Sequence, residues 1–514
     1  MSPERPRWYR RRLVIVLGAL VTLLVCAAAV FALTRPGDVF DPDVEFLAEE
    51  TPTTVPTPPP EPPATKKRGK KKKPRPLAGF RWPVYGYSND RRRYLPAEWK
   101  VRPPYKKLWG YQFGVLLEFP PIIVGNRLYT VGNAGKVVCL DRTTGKKVWS
   151  RDVGYLAAAS PAYGRRLIFV TVLERSKGVR AGRVVALGAK RGKVKWEKDL
   201  PSRSESSPLY IDNTVYFGAE DGTLYAMRAG NGATEWTFRA SGSIKGGPAL
   251  ADGKLYFGTY GGNVYAVNQK TGKQVWRTGT SGANFGLSAG NFYATPTVAF
   301  GRVYIGNTDG NMYSFSAETG KLAWRRGTDS YVYSSAAVAQ PRDGEPTVYF
   351  GSYDGTFYAL DARTGKTRWT YDDGGKISGG ASLIGDIVYY SNWGERDTVG
   401  LWAKSGEVAW TNSAGAFNPV VSDGQVIYLT GFSSIGAFLP KTAAEEKATR
   451  QRQARKAAKE RAAKKRKAYR ERVAKRRKAA AERKKELAAK RRKAAAERAA
   501  EKRRAARRRS ERDN

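Results

Sequence analysis

The sequence predicts an all-β fold, an eight-bladed β-propeller, with an N-terminal transmembrane helix before it and a long charged α-helix after it. Three observations carry this reading. A cassette of short strands recurs with a period near 40 residues, each copy ends on a strand carrying Trp, and the two ends of the repeat region hold complementary parts of one further copy.

The clearest copies are Thr214 to Trp236, Lys254 to Trp276, Arg302 to Trp324 and Thr347 to Trp369. Looser copies end at Trp149, Trp196 and Trp410, and Trp109 begins the series; successive spacings are 40, 47, 40, 40, 48, 45 and 41 residues. Within the cassette, Gly145, Gly192, Gly232, Gly272, Gly320, Gly365 and Gly406 share one place in the turn before the Trp strand, where a left-handed backbone is easiest without a Cβ. One position in the preceding strand is always small: Cys139, Ala186, Ala226, Ala266, Ser314, Ala359 and Gly400. That position is expected to let adjacent blades approach closely, so Cys139 fills an alanine slot as a structural thiol. The Trp residues at 109, 149, 196, 236, 276, 324, 369 and 410 are expected to be packing residues between blades rather than ligand-binding aromatics.

Ring closure follows from the ends. Phe417 to Leu439 supplies three strands and no Trp strand, whereas Lys106 to Gly114 is a Trp strand with no blade before it. Their pairing would close the ring and remove two exposed sheet edges.

The appendages hold much of the charge. The chain has 514 residues and a formal net charge of +45, and residues 441–514 alone hold 33 Lys or Arg against 10 Asp or Glu. Residues 1–12 form a basic N-terminus. Residues 13–33 lack any charge and match the roughly 20 residues a membrane-spanning helix requires. Arg5, Arg7, Arg10, Arg11 and Arg12 precede that run and acidic residues follow it, which places the N-terminus in the cytoplasm and the propeller outside. A cleaved signal peptide ending near Ala27 to Ala32 is the alternative; the apolar run exceeds the length of a signal core.

Residues 34–79 read as a linker, with a proline-rich stalk at Thr51 to Pro63 holding the propeller off the bilayer and a lysine cluster from Lys66 to Arg75. The propeller spans 80–440. Residues 441–514 have neither Gly nor Pro, and only Tyr469, Val473 and Leu487 are larger apolar residues than Ala, so a solitary charged helix is expected rather than a coiled coil. Such a rod suits acidic polymers or anionic lipid.

Composition also excludes chemistry. The chain has no His, hence no imidazole base, no Ser-His or Cys-His pair and no His-ligated metal. Its two cysteines, Cys26 and Cys139, cannot build a zinc-cysteine cluster.

The phrases LDARTGKTRW (Leu360 to Trp369) and VNQKTGKQVW (Val267 to Trp276) resemble the pyrroloquinoline-quinone-type propeller repeat of quinoprotein alcohol and glucose dehydrogenases, a repeat also present in non-enzymatic relatives that assist outer-membrane barrel assembly. Trp82 to Pro96 is similar to the approach that precedes the first blade in that family. For the dehydrogenases the resemblance implies a quinone over calcium, with a catalytic Asp, Glu and Asn ligands, and usually a vicinal disulfide. This chain has no adjacent cysteines, so no catalytic, cofactor-binding or metal-binding residue is carried over. The loops Pro201 to Pro208, Arg239 to Pro248, Arg326 to Ser335 and Tyr371 to Gly380 should line the channel mouth, with Asp329, Asp372 and Asp373 as the available carboxylates.

The longest loop, Thr278 to Pro296, is expected to expose Asn284, Phe285, Phe292 and Tyr293 to a partner. The resulting expectation is a membrane-anchored, extracytoplasmic, non-catalytic scaffold. It binds an envelope protein on the propeller face, and this topology excludes nucleic acid. A quinone-dependent dehydrogenase, using pyrroloquinoline quinone and calcium, is the alternative. A cytoplasmic nucleic-acid binder would need the opposite topology.

Overall fold

The computed structural model describes residues 37–48, 79–96, 101–280, 290–342, 344–418 and 420–510. Residues 13–33 and the lysine cluster lie outside them. Among the described residues no helix is long and apolar enough to cross a membrane.

Eight four-stranded antiparallel units form the propeller, and we number blades 1 to 8 by their Trp strands: Trp149, Trp196, Trp236, Trp276, Trp324, Trp369, Trp410 and Trp109. In blade 1 the strands run outward as Ile122–Val124, Arg127–Gly132, Lys136–Asp141 and Lys147–Asp152. Blade 8 takes Val420–Ser422, Ile427–Thr430 and Ser434–Pro440 from one end of the repeat region and Tyr105–Gln112 from the other. Ala437 sits opposite Trp109 and Pro440 opposite Tyr105, so the expected ring closure is present.

One interaction recurs at the junctions. The Trp149 indole N–H donates to Ala189 O of the next blade at 3.0 Å, and Trp196, Trp236, Trp276, Trp324 and Trp369 do the same to Ala229, Gln269, Ala317, Ala362 and Ala403. Five of these carbonyls accept a second proton from a Tyr on the second strand of the donor blade: Tyr129, Tyr216, Tyr256, Tyr304 and Tyr349. Each indole also lies on the turn glycine of its neighbour. A Cβ on Gly272, where φ is +67°, would stand 2.6 Å from Trp236 Cε3. The glycine is therefore required twice, once by its backbone and once by the ring above it.

Within its own sheet the small residue makes room for two rings. Cys139 lies between Tyr129 and Trp149 across the sheet, and Ala266 between Tyr256 and Trp276. The two rings meet over the gap, with centroids 5.8 Å and 5.9 Å apart in these blades. Cys139 is buried and free, and burial pushes its thiol up to about 12, so it is an inert packing atom. At the junction from blade 7 to blade 8 the turn glycine is missing, because the closing blade has no connection between its third and fourth strands. There Trp410 packs edge-on against Tyr105 and Phe438 instead.

The segment before the first blade plugs one end of the channel. Inner strands expose a free edge to the axis, and the plug covers it: Tyr163, Leu250, Val298, Val338 and Leu383 donate their backbone N–H to Pro83, Asn89, Asp90, Arg92 and Arg93. Tyr87, Arg91 and Arg93 adopt left-handed backbones to make these turns. The buried Arg91 guanidinium donates to Pro248, Ser207, Pro208 and Tyr85 carbonyls, a cage that compensates its desolvation.

Residues 37–48 correct the linker reading. Val39–Phe40 adds an antiparallel strand to the outer edge of blade 5, pairing with Arg325 and Trp324. Asp38 bonds Arg326 and accepts from Gly327 N, and Lys321 lies 2.8 Å from Asp41. Lower down, Arg302 donates to Val44 O and Glu45 O, and Phe46 stacks on Phe300 at 5.4 Å. This strap leaves Trp324 fully buried. The proline-rich stretch expected as a stalk, Thr51 to Pro63, lies outside the described residues.

The C-terminal unit, Lys441–Asn514, is a second compact unit whose described part is one helix, Ala443–Ser510, about 100 Å long at 1.5 Å per residue. Thr442 and Glu445 form its capping box, with Thr442 N donating to Glu445 Oε2 and Glu445 N to Thr442 Oγ1.

Two measurements check this construction. Gly272→Ala should lower stability by about 3 kcal/mol, combining left-handed strain with overpacking against Trp236, whereas Gly253→Ala, with φ of +68° and open space around it, should lose only about 1 kcal/mol. Equal shifts of the urea midpoint would refute the indole contact. Deleting 106–114 should abolish the cooperative melt, while removing 441–514 should leave the melting temperature of the propeller unchanged.

Candidate functional site: a tyrosine-lined funnel

The loops from each fourth strand to the next inner strand converge on the axis, where radius is smallest and only compact residues fit. A belt of Ser, Thr, Gly and Asn results. Ser160 N donates to Ser207 Oγ at 3.0 Å, Gly247 N to Thr295 Oγ1, Thr295 N to Ser335 Oγ, and Gly380 N to Asn418 Oδ1. Asn418 Nδ2 then reaches Glu118 O at 2.6 Å. Each hydroxyl or amide oxygen satisfies a backbone N–H of the preceding blade, which fixes the loops that carry the larger side chains.

Above the belt lies a cavity of about 170 Å³. Tyr85 of the plug forms part of its floor, with the Arg93 guanidinium behind the ring at 4.6 Å. Tyrosines line one side: Tyr293 meets Tyr260 at 6.3 Å and Tyr333 at 5.5 Å, and Tyr333 meets Tyr353 at 4.9 Å. Phe417 continues the wall outward through a stack with Trp393 and Phe432, covered by Arg396.

Among the lining residues the charged ones are Glu118, Glu205 and Lys245. Lys245 Nζ lies 2.5 Å from Glu205 and 3.0 Å from Glu220, and 5.1 Å from the Tyr260 ring centroid. Burial holds the Glu205 carboxyl above the usual carboxylate range, with Glu220 adding to it and Lys245 opposing. Burial works against the Lys245 ammonium, yet Glu205 and Glu220 hold it above its ordinary value. Glu118 is raised by burial, partly countered by its hydrogen bond from Asn133. The Tyr293 phenol is pushed well up, first by burial and then by the Glu205 and Glu118 charges. The walls therefore offer apolar ring faces, neutral phenols and a carboxylate edge.

The loop residues expected to meet a partner separate. Tyr293 faces the funnel, but Phe292 is fully buried: it packs edge-on against Tyr313 at 5.7 Å and lies against Gly258 in the core between blades 4 and 5. Its apolar ring fills the space that the absent Cβ of Gly258 leaves, so the expectation that it is exposed is wrong. Asn284 and Phe285 lie outside the described residues. Asp329 N donates to the Asp354 carboxylate and the Asp373 carboxylate accepts from Asn392, each a contact to a neighbouring loop. Tyr85, Glu118, Tyr260, Tyr353 and Phe417 are not among the residues expected from the sequence; Tyr260 and Tyr353 share one register in the turn after the second strand of their cassettes, which was the available signal, and the other three occupy loop or plug positions outside the repeat.

A quinone held over calcium does not fit these residues. Among the described residues no three of His, Cys, Asp and Glu gather where they could hold a metal ion. The funnel carboxylates are committed, Glu205 to Lys245 and Glu118 to Asn133. The cavity is also small beside the roughly 300–1,000 Å³ of common ligand pockets.

A family model described as outer membrane protein assembly factor BamB matches residues 99–178, 133–244, 228–439 and 353–512. No curated protein matches the sequence. Similar solved structures include BamB from Moraxella catarrhalis, at 19% identity and TM-score 0.51 over 65% of this chain and 100% of that one. A europium-containing methanol dehydrogenase matches at 14% identity and TM-score 0.57, over 70% of this chain and 98% of its own. Quinohemoprotein alcohol dehydrogenase ADHIIG from Pseudomonas putida HK5 matches at 14% and 0.57, over 70% and 80%. At these identities the likeness is one of fold.

The carboxylate edge has a pH signature. Glu205 binds its proton more tightly folded than unfolded, so the stability linked to it is greatest below the unfolded carboxylate range and is lost as pH rises through its raised folded value. Lys245→Met removes the compensating charge and should cost about 3 kcal/mol at pH 8, with the penalty shrinking as the carboxylates protonate. Urea midpoints that shift equally at pH 8 and pH 4.5 would contradict this.

Proposed function

Because the chain belongs to the propeller family described as outer membrane protein assembly factor BamB, we propose that it is a membrane-anchored, extracytoplasmic and non-catalytic scaffold whose funnel-bearing face binds a polypeptide of the cell envelope. The observation that carries this reading is the funnel itself. Its volume suits a side chain or a loop tip better than a cofactor, and its tyrosines supply rigid contact area with little rotamer entropy to lose. Glu118 and Glu205 already accept from Asn133 and Lys245, so the fit of the tip rests on the rings. The exposed ring of Tyr331 extends the same surface through contacts with Tyr333 and Tyr353.

The uncharged residues 13–33 with arginines before them support a retained anchor and an extracytoplasmic propeller. In that compartment the basic C-terminal helix meets acidic polymers or anionic lipid rather than nucleic acid, and counterion release makes its binding salt-sensitive.

A photo-crosslinking residue at Tyr333 tests the reading in cells. It should capture an envelope polypeptide that the same residue at Lys270, on the opposite face, does not, and Tyr353→Ala should weaken the capture. Stoichiometric uptake of pyrroloquinoline quinone with calcium, together with dye reduction by an alcohol, would overturn the scaffold in favour of a dehydrogenase.

A further inference from the structure

The blades are antiparallel, so the loops after each second and fourth strand share one face, the face that carries the funnel mouth. The outer strand of blade 5, Leu322–Gly327, runs toward that face. The strap pairs with it antiparallel, and Gly37 and Asp38 therefore sit at the funnel side: Gly37 O accepts from Arg325 at 2.6 Å and Asp38 accepts from Gly327 N at 3.0 Å. Asp41 lies at the other end, bonded to Ala323 O, and Leu47 N reaches Phe300 O on the opposite face. The chain thus arrives at blade 5 from the funnel side.

From these positions we infer that the strap holds the rim of the funnel-bearing face, at blade 5, against the outer surface of the bilayer. The inference rests on reading 13–33 as a retained membrane span. Only three residues, Thr34 to Pro36, separate Leu33 from Gly37, and the four Cα–Cα steps between them, fully extended, reach no more than about 14 Å. The funnel's partner is then met at membrane level, as a protein embedded in or lying on the bilayer. Tyr331 follows the clamped Gly327 by four residues and is 50% exposed, a side chain suited to the headgroup region. Asp329, Asp354, Asp372 and Asp373 share this side with Lys376 and Arg396, a mixed set that forms no basic patch for an anionic leaflet. Attraction of charge therefore does not cause the approach; the short connection imposes it.

The full chain, in a Cys26→Ala and Cys139→Ala background, can carry a fluorophore at Tyr331→Cys or at Lys270→Cys on the opposite face of blade 4. It is reconstituted into phosphatidylcholine vesicles whose headgroups bear a nitroxide quencher. The label at position 331 should lose most of its emission, and the loss should persist in high salt. The label at 270 should lose little. Releasing the strap with Phe46→Ala and Arg302→Ala, checked by melting for an intact propeller, should abolish the difference. A chain that fails to float with the vesicles overturns the membrane-span reading and this inference together. A chain that floats with both labels quenched alike overturns the inference alone and leaves the anchor standing.

Discussion

The whole disc depends on the indole that each blade lays on the turn glycine of the next. Hydrogen bonding and shape act on the same few atoms: the indole N–H, and in five blades a tyrosine O–H, converge on one backbone carbonyl while the ring covers the adjacent Cα. A contact that repeats with the same donor, acceptor and ledge sets the same rotation between neighbouring sheets. Closure at eight is therefore a property of the junction rather than of any single blade. The junction from blade 7 to blade 8, where Trp410 packs on Tyr105 and Phe438, tolerates a different solution because the covalent ends of the repeat region meet there.

What the sequence disclosed and what it hid follow one physical division. Trp, Gly and the small residue between Tyr and Trp recur because every blade needs them, and recurrence is what makes a position readable. The strap, the plug and the funnel occur once. Val39–Phe40, held by contacts of Asp38, Phe46 and Arg302, is an outer fifth strand found on blade 5 alone among the described residues, and a run flanked by proline-rich sequence looks like linker. Phe292 illustrates the opposite error. In a long polar loop an aromatic residue reads as exposed, and the space beside Gly258 that buries it belongs to another blade. Tyr293, one residue on, turns the other way and faces the cavity.

The funnel gathers tyrosines and charges in one place. Elsewhere most core tyrosines donate to backbone carbonyls, and Tyr428, which donates to the Asp423 paired with buried Arg142, is a smaller instance of the same combination. At the mouth, phenol rings stand beside Glu205, Lys245 and Glu118 in a site where burial shifts all of their proton affinities. Such a surface discriminates by charge as well as by shape, because a like charge placed against the carboxylate edge would be desolvated without compensation.

The plug has a temporal consequence. Residues 81–95 leave the ribosome before any blade, yet much of their backbone is paired by the inner strands of blades 1, 2, 4, 5, 6 and 7. The first-made segment is thus among the last to be seated. Until those sheets exist, Arg91 and Arg93 must remain hydrated, and their withdrawal from water coincides with completion of the ring.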